Sequence, residues 1–334
     1  MFATLLGGLP RPLDSVGSPL VDDDAAVVAA LEAQVETGLE PLTDGRLRNR
    51  GYPGAIAVLE GMAGGPGEAR RSGMPTWRGP LTVDAWRFAS GHAGGLVKQT
   101  LPGPYTLGRR LAAKGREEAT AAFATALRSE LLALADAGCA LVEIEEADAH
   151  LIGVDPAERR HFVEGHLALL DGIDGVHISL SIVGGSADLA GIETILAAPY
   201  RSLAVDLING PDNWRLVRAV PGDRGIVCGA LSTRAGSEDG PELLIWAAAY
   251  AASSNARGRD RVGLATAGSL EDLAWPAAVR KMERLGNAAR LAGGPLSEAA
   301  KEMDPRALDL RSAALGRYDP PATRPRGGPG GGTS

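Results

Sequence analysis

Glu143 and Glu145 lie one residue apart in an apolar stretch, so in a strand their side chains share one face. A buried member of such a pair, its pKa raised, suits general acid–base work. A salt bridge to Arg46 or Lys98 is the equal alternative. Arg46, Arg48 and Arg50 recur at alternate positions after Asp44-Gly45. They read either as an anion site or as a solvated face in which Arg48 pairs with Asp44. His177, Ser179 and Ser181 share a face of another apolar run. No Asp orients His177 in a triad, so the hydroxyls read as cavity lining rather than as a nucleophile. Asp206 closes the run Ser202–Asp206, and Ser232-Thr233-Arg234 follows the run Gly225–Ala230. Gly7 and Gly8 end the first apolar run. Trp77 and Trp86 either cap a flat ligand or pack. His150, His161 and His166 lack metal-ligand spacing and read as surface residues.

Side chains so far apart in sequence meet only if the elements between them form a ring. The candidate strands are Thr4–Gly7, Glu40–Thr43, Leu96–Leu101, Ala140–Ile144, Val176–Ile182, Ser202–Asp206, Gly225–Ala230 and Val262–Ala265. These runs are short, and Gly, Pro or Asp bounds them. Helical patterns separate them, most clearly in Asp22–Glu36, Glu117–Ala137 and Glu242–Ala252. Asp22-Asp23-Asp24 puts negative charge where a helix N-terminus favours it, and Gly138 stops the second of these helices. Alternating strand and helix implies parallel pairing, and eight such pairs imply an α/β fold, the (β/α)8 TIM barrel. Chemistry in that fold belongs to the C-terminal ends of the strands, so the candidates are expected around one mouth. The barrel is expected over residues 1–319, with a lid insertion at 61–80 that holds Trp77. The Pro- and Gly-rich segment 320–334 is expected to be a disordered tail.

The 334 residues carry 34 Lys plus Arg against 41 Asp plus Glu, a net charge of −7. That balance argues against nucleic acid as the main partner and suits a soluble, cytoplasmic protein with a small-molecule substrate. No run approaches the roughly 18 apolar residues of a membrane span. The N-terminus breaks at Gly7, Gly8 and Pro10 and reads as a first strand rather than a signal peptide. Cys139 and Cys228 are far apart, each in an apolar run, and read as two buried thiols.

Four segments, in order, resemble the catalytic barrel of cobalamin-independent methionine synthase. Gly7-Gly8-Leu9-Pro10-Arg11-Pro12 resembles its opening Gly-Ser-Phe-Pro-Arg-Pro. Gly38-Leu39-Glu40-Pro41-Leu42-Thr43-Asp44-Gly45 with Arg48 resembles Gly-Leu-Asp-x-x-x-Asp-Gly-Glu-x-x-Arg. Lys98 with Pro102-Gly103-Pro104-Tyr105-Thr106-Leu107 resembles Lys…Thr-Gly-Pro-x-Thr-Leu. Gly138-Cys139 with Val142-Glu143-Ile144-Glu145-Glu146 resembles Gly-Cys…Ile-Gln-Ile-Asp-Glu-Pro. The resemblance covers one barrel, whereas full-length plant and bacterial enzymes of the family carry two.

The resemblance implies a zinc site of His-x-Cys, a Glu on the next strand and a Cys near the last strand. Such a site stabilises a substrate thiolate for attack on a methyl group. Its positions fall on His177, Ser179, Asp206 and Ala267. Zinc is therefore expected to be lost or weakened, with His177 and Asp206 as residual ligand positions. The family's Glu that holds the homocysteine ammonium falls on Arg46, and its Asp on strand four on Glu145. Its opening Ser falls on Gly8 and its proton-donating His on Arg234. A Glu-to-Arg reversal repels an ammonium and welcomes a carboxylate or phosphate, so homocysteine is not the expected acceptor.

The implied function is transfer of a methyl or related alkyl group to a different acceptor. His177, Asp206, Glu145 and Arg234 are the expected catalytic groups. Gly7, Gly8, Arg46, Arg48, Glu143 and Ser179 are the expected substrate-binding ones. The donor, folate or corrinoid, is not specified by these residues, and a corrinoid-carrying or other protein partner stays open. Two alternatives also stay open. One is a metal-independent lyase or decarboxylase that places Arg46, Arg48, Arg234 and Glu145 around an anionic substrate. The other is a non-catalytic binding or partner subunit.

Overall fold

The computed structural model describes residues 1–48, 52–64, 68–237 and 240–303; Arg50 and the expected tail 320–334 lie outside the described residues. The chain runs β1 (Phe2–Thr4), α1 (Asp23–Glu36), α2 (Tyr52–Ile56), β2 (Glu60–Ala63), β3 (Arg70–Thr76), α3 (Val83–His92) and β4 (Gln99–Pro102). It continues through α4 (Pro104–Leu111), α5 (Arg116–Asp136), β5 (Leu141–Glu146), α6 (Pro156–Leu170), β6 (His177–Ile182), α7 (Ile192–Leu196) and β7 (Ser202–Asp206). The last elements are α8 (Trp214–Ala219), β8 (Gly225–Leu231), α9 (Glu242–Ser253), β9 (Val262–Thr266), α10 (Trp275–Gly293) and α11 (Leu296–Glu302).

Seven strands pair in parallel in the order β1-β9-β8-β7-β6-β5-β4. Residues 40–43 fill the position between β1 and β4, where Ala3 bridges to Glu40 and Leu42 to Val97. The ring is therefore a (β/α)8 barrel, the fold class expected from the alternation of runs. The short segment 40–43 is held by side chains as much as by a ladder. The buried Gln34 of α1 donates to the Thr43 carbonyl at 2.8 Å and accepts from the Thr43 N–H at 3.0 Å. The Thr4 hydroxyl donates to the Pro41 carbonyl at 2.7 Å. A buried strand pairs its backbone one way or another, and here an amide side chain supplies part of the pairing.

Outward-facing residues such as Val142, Ile144, Leu180, Val205 and Leu264 pack with Phe123, Leu127 and Leu131 of α5 and with the other helices in one continuous core. Inside the ring Leu6, Val183, Ala204, Val227 and Ala265 form a separate apolar cluster, with Phe2 and Ala147 against it. Opposite that cluster, the β4–β5 wall carries charge. Lys98 precedes β4, and Glu143 and Glu145 alternate along β5. Glu146 points outward and caps α4, accepting from the Tyr105 and Thr106 N–H groups at 2.9 and 2.8 Å.

The insertion at 61–80 contains the antiparallel pair β2–β3. Glu130 of α5, fully buried, accepts from the Trp77 indole, from the Leu81 and Thr82 N–H groups and from the Thr82 hydroxyl. One carboxylate thus fixes both the end of the hairpin and the start of α3. Trp77 is engaged there, and Trp86 is buried and donates to the Val97 carbonyl at 3.2 Å, so both tryptophans pack.

Candidate active site at the C-terminal mouth

The loop after β1 lies on the loop after β9. Gly7 adopts φ +81°, and a Cβ on it would stand 2.5 Å from the Ser269 Cα, so only glycine allows this approach. Gly8 donates to the Ser269 hydroxyl at 3.1 Å, and a Cβ there would meet the Glu271 carboxylate at 2.8 Å. Across from it Leu9 donates to the Gly45 carbonyl at 3.0 Å, which draws the β1 loop onto residues 44–48.

Asp44 accepts from the Arg46 N–H at 2.9 Å, a turn that holds Arg46 at φ +59°. Left-handed backbone at a bulky residue is strained, and such strain collects at functional sites. The turn sends the guanidinium over the end of β4 to β5, where Arg46 Nη2 lies 2.5 Å from Glu145 Oε2. Both side chains are nearly buried, at 10% and 6% exposure. Asp44 is also buried. Its Oδ2 has no hydrogen-bond partner, and burial raises its pKa despite the nearby Arg46 and Arg48 charges. A cleft of about 600 Å³ opens beside this turn, lined by Arg11, Gly45, Arg46, Leu47 and Glu271 among others.

One layer deeper, Lys98 Nζ donates to Glu143 Oε2 at 2.8 Å and to the Leu5 carbonyl at 2.7 Å. Each carboxylate of the Glu143–Glu145 pair therefore has its own cation. Burial still raises the Glu143 pKa, with Lys98 opposing it.

Several expected site residues do not join this mouth. His177 is the first residue of β6, so it stands at the N-terminal end of the barrel, and Ser181 occupies the far part of the strand. Ser179 and Glu143 line a cavity with His177 that opens at that opposite end. In the run from Val176 to Ile182, His177 is second from the N-terminal end, so strand direction already sets it away from the C-terminal mouth to which the resemblance assigned it. Asp206 does end β7 on the C-terminal side, but its carboxylate is saturated. It accepts from the Ile208 and Asn209 N–H groups at 2.9 and 2.8 Å, from the Gly184 N–H at 3.3 Å and from the Asn209 amide at 2.9 Å. Arg234 follows β8 on an exposed turn, its N–H donating to the Ser232 hydroxyl at 3.2 Å.

Arg48 does not pair with Asp44. It reaches Asp24 at 2.5 Å and lies over the Phe88 ring, 4.1 Å from its centroid. His166, expected at the surface, is fully buried on α6 between the Tyr200 hydroxyl at 2.6 Å and Glu146 at 3.0 Å. Asp44 joins this mouth although its residue type and spacing gave it no role beyond a partner for Arg48. Its burial, invisible in the sequence, is what distinguishes it.

A zinc ion does not fit these residues. His177 and Asp206 face opposite mouths, Asp206 has its oxygens occupied, and Ala267 offers no ligand atom. Among the described residues no group of three His, Cys, Asp or Glu is placed to hold a metal. Both cysteines are buried, and burial pushes the Cys139 thiol up to about 11 and the Cys228 thiol up to about 12, so neither is a ready thiolate.

No family model and no curated protein matches this chain. Solved structures do resemble it. A B12-independent methionine synthase from Shewanella sp. W3-18-1, solved with selenomethionine, superposes with a TM-score of 0.73 at 16% identity, covering 87% of this chain and 97% of that one. A protein from Listeria monocytogenes, proposed as a B12-independent methionine synthase, gives 0.68 at 17% identity over 88% and 97% of the two chains. A methyltransferase from Methanosarcina mazei gives 0.58 at 14% identity over 88% and 95%. At these identities the likeness is one of fold: the chain has a barrel of methionine-synthase-like architecture.

Proposed function

We propose that this protein is an enzyme that transfers a methyl or related alkyl group at its C-terminal mouth, to an acceptor other than homocysteine and without a metal-bound thiolate. The observation that carries this reading is the buried Arg46–Glu145 pair. The resemblance gives the position of Arg46 to the carboxylate that holds a substrate ammonium, and here a guanidinium stands there instead, paired with Glu145. A substrate amine finds its carboxylate already neutralised. A substrate carboxylate finds a planar donor held in position by the Asp44 turn.

The architecture shared with a methionine synthase and a methyltransferase supports alkyl transfer as the reaction class. In this reading Arg46 anchors an acidic acceptor, and Glu145 keeps the guanidinium oriented. Asp44 takes the proton as the acceptor heteroatom forms its bond to the methyl carbon and the donor departs with the electrons of the broken bond. A carboxylate whose pKa burial raises is better matched to that proton at neutral pH. Gly45, Arg46 and Leu47 with the β1 loop line the cleft that receives the acceptor.

The test compares homocysteine with 4-mercaptobutyrate, the same skeleton without the amine, offered with methyltetrahydrofolate or methylcobalamin and read by mass spectrometry. The expected result is S-methylated 4-mercaptobutyrate, lost in Arg46→Ala. Preferential methylation of homocysteine contradicts the proposal, as does an absence of methylated product from either thiol with either donor.

A further inference from the structure

In a (β/α)8 barrel the interior is ordinarily filled by layers of bulky branched side chains. Here a cavity of about 830 Å³ opens at the N-terminal mouth, and Thr4, Ser179, Ser202 and Gly225 are among the small residues that line it. That volume lies within the range of small-molecule sites. Its inner end holds two buried polar atoms without a hydrogen-bond partner, Glu143 Oε1 and Ser179 Oγ. Glu143 is 3% and Ser179 4% exposed, so water in bulk does not satisfy them. Buried acceptors and hydroxyls left unpaired are costly, and a site that leaves two of them at the end of an open cavity is shaped for a ligand's donor.

The other walls fix the rest of the ligand. Phe2, Pro41, Leu96 and Ile226 give the cavity an apolar middle. At the rim stand Arg201, Arg224 and Arg261 with Asp223 and Asp260. Arg201 and Arg261 are exposed, whereas Arg224 reaches the Leu196 and Ala198 carbonyls at 3.4 Å. Glu40, also at the rim, accepts from the Leu96 N–H at 3.0 Å. The rim thus carries three guanidinium groups and three carboxylates, with Arg201 and Arg261 as its exposed cations. On the wall His177 and Ser202 hydrogen-bond each other at 2.8 Å.

We propose that the N-terminal mouth is a second ligand site, taking an organic anion with an apolar body whose inner end carries a hydroxyl. The hydroxyl donates to Glu143 Oε1 and accepts from Ser179. The body lies against the apolar walls, and the anionic end meets Arg201 and Arg261. The site is separate from the cleft at Arg46, with the Lys98–Glu143 pair closing its inner end.

A fluorescent pair of probes tests this directly: 6-hydroxynaphthalene-2-sulfonate, and naphthalene-2-sulfonate, which lacks the hydroxyl. Titrated into the full-length protein, the hydroxylated probe is expected to bind about tenfold more tightly, the worth of one well-placed hydrogen bond to a charged acceptor. Arg201→Ala, a surface change that leaves the fold intact, is expected to weaken both probes about fivefold. Ser179→Leu fills the cavity and is expected to abolish binding, while Arg46→Ala leaves both affinities unchanged. The proposal is overturned if neither probe saturates at millimolar concentration. It is equally overturned if both bind alike and Arg201→Ala binds as the unaltered protein does.

Discussion

His177 opens β6 and Asp206 closes β7, so in a ring of parallel strands the two stand at opposite mouths of the same barrel. No single ion can touch both. Lys98, just before β4, and Arg46, from the 44–48 turn, instead each occupy one carboxylate of β5, the strand between the mouths. The barrel is organised by ion pairs stacked along β5.

If the Arg46–Glu145 pair holds the mouth, removing either partner leaves a nearly buried charge alone. Arg46→Ala and Glu145→Ala are each expected to destabilise the fold by about 3–5 kcal/mol, whereas the double variant costs much less than the sum. Urea unfolding of the four proteins measures the coupling. Additive losses would show that the pair is not a unit.

Asp206 has a structural role in this account. Asp206→Ala leaves three backbone N–H groups without their acceptor and is expected to cost about 2–4 kcal/mol, with Asp206→Asn losing less because one oxygen is retained. Thermal unfolding ranks the variants. Equal stability of all three proteins would leave the carboxylate free for another purpose.

The His177 pKa lies below its ordinary value of 6.5, through burial first and the Arg201 charge second. Protonation is thus easier in the unfolded chain than in the fold. The contribution of neutral His177 is complete above pH 6.5 and is lost as pH falls toward the folded pKa. Between pH 7.5 and 5 the wild-type protein is expected to lose more stability than His177→Gln. Denaturant midpoints at both pH values check this, and parallel losses would refute it.

The barrel was legible because its signal is repeated. Each of the eight expected runs overlaps the ring, the first, Thr4–Gly7, only at Thr4 because β1 is Phe2–Thr4, and α1, α5 and α9 begin within one residue of their expected starts. The bridging pairs were legible as one of two options for Glu143 and Glu145, since alternation put both on one face. What stayed hidden depends on strand ends and burial. His177 was expected at the C-terminal mouth because the resemblance gave it a ligand role, although its place near the start of the run Val176–Ile182 points to the other end. Asp206 looked like a ligand because the loop N–H groups it caps carry no mark in the sequence. His166 looked like a surface residue because its partners, Glu146 and Tyr200, come from other elements.

The most direct measurement is the zinc content of the protein after incubation with excess zinc and gel filtration. The account, in which an ion pair organises the C-terminal mouth, predicts well below one equivalent, unchanged by His177→Ala or Asp206→Ala. A full, tightly held equivalent that disappears in Asp206→Ala would contradict it.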